Sequence, residues 1–171
     1  MKKIEIELYA DENRPIFDIE TEIGIADCLL DTGAEMPVWC AEENVLKAHF
    51  PEAQQTDYYT FISGFGSGYH TASIWKIPEI VLADRRKRDR IIINNLLVAV
   101  VPDKIFSFQM ILSNTVFSKA DYSIINRAHK RILKIKTDRD IYILPCIHKG
   151  KIPVQLNRAG HLVDCITGYV Q

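Results

Sequence analysis

Short apolar segments that alternate with polar residues at every second position recur along the chain, and they limit what it can fold into more than any other feature. Ile4-Glu5-Ile6-Glu7-Leu8 is the plainest case. Successive side chains of an extended backbone point to opposite faces, so this pattern buries one face of a strand and wets the other. The alternation resumes from 16 to 25, with Phe17, Ile19, Thr21 and Ile23 on one face, before Gly24 turns the chain into Ala26-Asp27-Cys28-Leu29-Leu30. Further strands are predicted at 58–62, 71–75 and 79–82, with Pro78 separating the last two, then at 91–93, 96–101, 122–125 and 131–136. Only 41–48, whose early glutamates suit the positive end of a helix dipole, and 116–120 have helical character. Beyond Thr137, strands at 141–144, 152–156 and 161–166, with turns at Lys149-Gly150-Lys151 and Asn157-Arg158-Ala159-Gly160, read as a small meander. The expectation is a mainly β molecule, a closed barrel or packed sheets, with one or two short helices.

The bulk numbers narrow the function classes. The 171 residues, 47% hydrophobic and 25% charged, suit one domain of ordinary size, alone or with a small appendage. A formal net charge of −1 gives no pull toward nucleic acid or a membrane surface. The dense basic run Asp84-Arg85-Arg86-Lys87-Arg88-Asp89-Arg90 sits between apolar segments and reads as a solvated hairpin turn. Cys28, Cys40, Cys146 and Cys165 are irregularly spaced, and no histidine stands at ligand spacing from them, so neither a metal site nor a disulfide scaffold is expected. Cys28 and Cys40 read as small buried hydrophobes, Trp39 and Trp75 as core aromatics, and the five histidines as surface or turn residues. The alternating N-terminus lacks the unbroken apolar stretch of a secretory signal, and the run 96–101 is too short to cross a bilayer, which makes a cytoplasmic location the default.

One loop stands out chemically. Leu29-Leu30-Asp31-Thr32-Gly33-Ala34 places a carboxylate at the end of a buried strand, with small residues directly behind it. Such a placement is costly unless the carboxylate is used. Thr32 can hydrogen-bond across an interface, Gly33 lets the backbone approach closely, and Ala34 leaves room for substrate. The chemistry that wants this arrangement is activation of water by two carboxylates sharing one proton. The glycine-rich Gly64-Phe65-Gly66-Ser67-Gly68 carries no Gly-Lys-Ser/Thr ending and lies in no clear βαβ unit, which argues against nucleotide binding. Nor is Ser67 in a nucleophile elbow.

On these segments, and on Met110-Ile111-Leu112-Ser113-Asn114, the chain resembles the retropepsin-like aspartic proteases, the single-lobed relatives of pepsin that include the retroviral proteases. The resemblance spans about residues 1–136, in order and spacing, and leaves 137–171 as a C-terminal β extension. It implies a closed barrel of the retropepsin type and no metal or organic cofactor. It makes Asp31 the catalytic residue, Thr32 a bridge between loops, and Gly33 and Ala34 the rest of the active loop. Glu35, Val38, Gly64, Phe65 and Gly66 would bind substrate, the last three at the tip of a flap closing over a peptide or protein. Only one Asp-Thr-Gly occurs, so the second aspartate would come from another copy in a homodimer, with the N-terminal strand as a candidate for interface pairing. One departure is Ser113, where the family usually has glycine. It keeps alive a second reading, a catalytically silent dimeric peptide-binding module.

Overall fold

The computed structural model describes residues 1–34, 36–63, 69–84, 86, 88–102, 106–118, 120–142, 154–156 and 162–164. Its elements are β1 (Lys2–Glu7), β2 (Ile16–Thr21), β3 (Gly24–Asp31), β4 (Val38–Trp39), α1 (Glu43–His49), β5 (Gln54–Ser63), β6 (Tyr69–Ala83), β7 (Arg90–Val100) and β8 (Met110–Ser113). A 3-10 turn (Asn114–Phe117) leads to β9 (Asp121–Arg127) and β10 (Lys130–Thr137), and the chain ends in β11 (Ile141–Tyr142), β12 (Val154–Leu156) and β13 (Leu162–Asp164).

The larger sheet runs in the order β2-β3-β8-β4-β7-β6-β5, with β11 also on β7. A three-stranded sheet, β1-β10-β9, is separate from it, and among the described residues β12 pairs only with β13. The protein is mainly β, as its alternation predicts. Among the described residues no ladder joins β2 to β5, so the large sheet is open and the closed barrel is not seen.

Burial on both faces explains the continuous apolar runs. In β7, Leu96, Val98 and Val100 enter one core cluster, with Ile4, Trp39, Leu133 and Ile135. Their alternates Leu97 and Ala99, with Val101 just past the strand, enter a second, with Val38, Ala72 and Ile111. A strand covered on both sides has no wet face and loses the period-two signature. Trp39 lies wholly buried between β7 and β8, its ring 6.0 Å from that of Phe50 and edge-on to it.

Several boundaries differ from the sequence expectation. The face begun by Phe17 and Ile19 ends at Thr21. Ile23 lies in the turn to β3 and is 61% exposed, because Gly24, at φ 134°, already starts the next strand. Pro78 does not divide β6. Ile77 pairs with Leu96 and Glu79 with Asn94, so Pro78 faces Asn95, whose φ is 56°. A residue without an N–H is tolerated opposite a residue that leaves extended geometry, so the two irregularities fall together. The helix expected at 116–120 is instead the 3-10 turn Asn114–Phe117, and that expected at 41–48 is α1. The described residues of the basic run connect β6 to β7 as a hairpin, as expected: Ala83 pairs with Arg90, and the Asp84 carboxylate accepts from the backbone N–H of Arg86 at 2.9 Å. Ile141 joins the large sheet in parallel with Ile93, so among the described residues only β12 and β13 remain of the three-strand meander. The turns expected at 149–151 and 157–160 lie outside the described residues.

Candidate active site

Asp31 is the last residue of β3, and the parallel ladder with β8 sets it opposite Ser113. The preceding residues hold that end firmly. Cys28 and Leu30 point into the first core, while Leu29 leans on the second. The chain then turns sharply: the Gly33 N–H donates to Asp31 Oδ1 at 2.8 Å, and the Ala34 N–H to the Asp31 carbonyl at 3.3 Å. This local side-chain-to-backbone closure is what aspartate does well at the end of a strand. Asp31 is half-buried, and Thr32 and Gly33 are exposed. A β-carbon added at Gly33 would stand 3.3 Å from Asp31 Oδ1, so the demand here is for space.

Ser113 is completely buried, with its side chain accommodated beside the aspartate strand. The 3-10 turn follows directly, and there the Tyr122 hydroxyl donates to Asn114 Oδ1 at 2.8 Å, tying the start of β9 to the loop region.

The hairpin of β5 and β6 supplies the neighbouring wall. Its arms pair Tyr59 with Ser73, Ile62 with His70 and Ser63 with Tyr69, and a bulge lies between Gln55 and Tyr59. Ala72, Ile74, Tyr58 and Ile62 share one apolar cluster with Ala34, Met36 and Val38, which places the hairpin stem against the segment that follows the aspartate. Val38, expected to line the cleft, is 4% exposed and belongs to this packed cluster in the single chain. Glu35, Gly64, Phe65 and Gly66 lie outside the described residues.

A polar network at the far end of β3 escaped the sequence reading. His49, taken as a surface or turn residue, is 7% exposed at the end of α1. The Thr21 hydroxyl donates to the Gly24 carbonyl at 3.2 Å, so the His49 Nδ1–H donates to Thr21 Oγ1, the two 2.8 Å apart. Nε2 then accepts from the Gln109 amide at 3.2 Å, which describes a neutral imidazole. The Gln109 backbone N–H in turn donates to Asp27 Oδ1 at 2.8 Å. Burial lowers the His49 pKa, against a smaller opposing pull from Asp27. Burial also raises both described thiols, Cys28 well above its ordinary value and Cys40 up to about 12. Both are free and buried, as expected.

Among the described residues, no group of three or more His, Cys, Asp or Glu side chains is placed to hold a metal ion, and no helix is long and apolar enough to cross a membrane. No protein-family model matches the chain, and no curated protein matches it in sequence. Among solved structures, it is similar to a retropepsin-like aspartic protease from Rickettsia conorii, with 15% sequence identity over 77% of this chain and 89% of that one and a TM-score of 0.47.

Proposed function

We propose that this chain is an aspartic endopeptidase that works as a homodimer, each copy contributing Asp31. The observation that carries the reading is the local geometry of that residue. A half-buried carboxylate ends a core strand, one of its oxygens is committed to the Gly33 N–H of its own turn, and a hairpin stem packs against the residues that follow. Residues 1–136 would form the catalytic unit, closing into a barrel only with pairings beyond those described. The extension begins at Thr137, and its first residues are pinned back: Asp140 bonds Lys2 at 2.6 Å and the Ile92 N–H at 2.8 Å.

In this mechanism two Asp31 carboxyls share one proton, because like charges a few ångströms apart cannot both ionise. The ionised one takes a proton from water, which attacks the scissile carbonyl, while the protonated one hydrogen-bonds the carbonyl oxygen and later supplies the proton for the leaving amine. The two titrations belong to the pair. Thr32 would bridge the two loops, while Gly33, Ala34 and Glu35 would hold the peptide main chain. Gly64, Phe65 and Gly66 would close over it as a flap, and Val38 would support the floor from the core.

The test is Asp31→Asn assayed on an unstructured protein across the acidic range. The expected result is loss of cleavage by at least about a hundred-fold with the melting temperature essentially kept. Undiminished cleavage would refute the assignment. The buried Ser113 beside Asp31 favours a second reading, a silent dimeric peptide-binding module with the same fold. In that case the wild type cleaves nothing, and a statine-type peptide leaves its melting temperature unmoved.

A further inference from the structure

We propose that the C-terminal extension is a strap on the β5–β6 hairpin, holding its β5 arm so that the hairpin opens only when β12 lets go. The proposal rests on the reading of this hairpin as a flap over the substrate, and it gives the extension a part in that reading.

The two arms of the hairpin are held unequally. From Ser73 to Ala83, β6 is laddered to β7. Nearer the tip, from Thr60 opposite Ala72 to Ser63 opposite Tyr69, it has β5 alone among the described residues. A two-stranded ribbon is marginal by itself, so whatever lies along its arms decides how readily it lifts. The β6 arm is tied to the body. There the Ser73 hydroxyl donates to Glu43 Oε1 of α1 at 2.9 Å and accepts from the Trp75 indole N–H at 3.2 Å. The β5 arm ends the large sheet and carries the bulge between Gln55 and Tyr59. Thr56 closes that bulge, its hydroxyl donating to the Ile74 carbonyl at 2.7 Å and accepting from the Tyr58 N–H at 3.2 Å. A bulge bends its strand, so the projecting ribbon starts directly after a fixed bend in β5.

The extension meets both sides of this assembly. It begins on β7, where Ile141 lies in parallel with Ile93 and the Asp140 carboxylate accepts from the Ile92 N–H at 2.8 Å. It then comes back beside β5, with Cα atoms of β12 within 8 Å of those of β5. The chain from Tyr142 to Val154 is long enough for this passage, since each extended residue covers about 3.3 Å and neighbouring strands lie only about 5 Å apart. The extension thus starts at one side of β7-β6-β5, the three strands from which the hairpin projects, and ends at the other. β13 backs β12, with Leu156 opposite Leu162 and Val154 opposite Asp164, which makes a two-stranded unit that can leave and return as one piece. Lifting the ribbon moves β5 relative to β12, and the packing between them adds to the cost of opening.

Hydrogen exchange in the full chain tests the strap without reference to cleavage. Leu156→Asp sets a charge opposite Leu162 and should unseat the β12–β13 pair. The amides of 60–63 and 69–72 should then exchange roughly ten-fold faster than in wild type, while those of β3 and β8 keep their protection. A second variant carries a specific protease site inserted after Gly150 and is cut once folded, so that β12 and β13 are no longer tethered. It should show the same acceleration, and it decides the matter if Leu156→Asp also loosens β3 and β8. On an unstructured protein substrate, the cut enzyme should gain roughly three-fold or more in kcat/KM, because entry no longer waits for β12. Unchanged exchange at 60–63 after cutting would overturn the strap, as would faster exchange accompanied by an equal or lower kcat/KM. The protease reading is decided separately: an active enzyme whose ribbon ignores the cut loses only the strap, and a chain that cleaves nothing while its ribbon responds to the cut loses only the protease.

Discussion

At Gly33 the requirement is room. Its N–H serves Asp31 Oδ1 at 2.8 Å, and an added β-carbon would crowd the same oxygen at 3.3 Å. Gly33→Ala is thus expected to shift the carboxyl by a few tenths of an ångström. That should lower kcat/KM by roughly ten-fold or more, since catalysis is far more sensitive than folding to such displacements. The melting temperature should change little, because Gly33 is exposed. The thiols make the opposite case. Burial raises Cys28 and Cys40 far from neutrality, so neither should react with a thiol reagent in the native state at pH 7, and both should after unfolding. Mass spectrometry after pulse labelling reads this directly; native labelling at Cys28 or Cys40 would contradict the packing described.

Among the elements, β2 and β8 hold the aspartate strand in the sheet, while β4 and α1 bring Trp39 and His49 together. Trp39 is wholly buried between β7 and β8 and meets the rings of His49 and Phe50. Trp39→Ala should destabilise the fold by about 3–5 kcal/mol, measured by denaturant unfolding. His49 adds a pH dependence whose sign follows from its lowered pKa. The unfolded imidazole takes up its proton near its ordinary value of about 6.5, while the folded one resists until lower pH. Stability is therefore complete above that range and falls as pH drops through it, flattening once the folded pKa is passed. A His49→Gln variant should show a flatter dependence of melting temperature on pH between about 7 and 5. An unchanged slope would remove His49 as the cause.

These elements also show what the sequence made legible. Period-two alternation located β1 and β10, in which alternate side chains such as Ile4, Ile6, Leu133 and Ile135 turn inward. It divided β6 and β7 too finely, since Pro78 and Asn95 each look like a break alone and are compatible only because they face each other across the ladder. Asp31 stands out in the sequence because a carboxylate after two leucines and ahead of Thr32-Gly33 is chemically odd, and the structure sets it at the end of β3. The His49–Gln109–Asp27 network does not stand out, as its members lie far apart in sequence and meet only through the packing of α1 against β3.

For the whole molecule, the account depends on two chains. One chain places a single Asp31 at the end of β3, and a dyad needs another. If activity requires a singly protonated pair, the rate should follow a bell-shaped curve with pH, its limbs belonging to the dyad jointly. A rate climbing steadily into alkali would be inconsistent with shared protonation. The most direct measurement is subunit mixing: wild type is equilibrated with increasing proportions of Asp31→Asn at constant total protein, and cleavage is followed. If each site draws one carboxyl from each of two copies, activity falls as the square of the wild-type fraction. Activity falling only in linear proportion to that fraction would mean that each chain works alone, and would contradict the shared dyad.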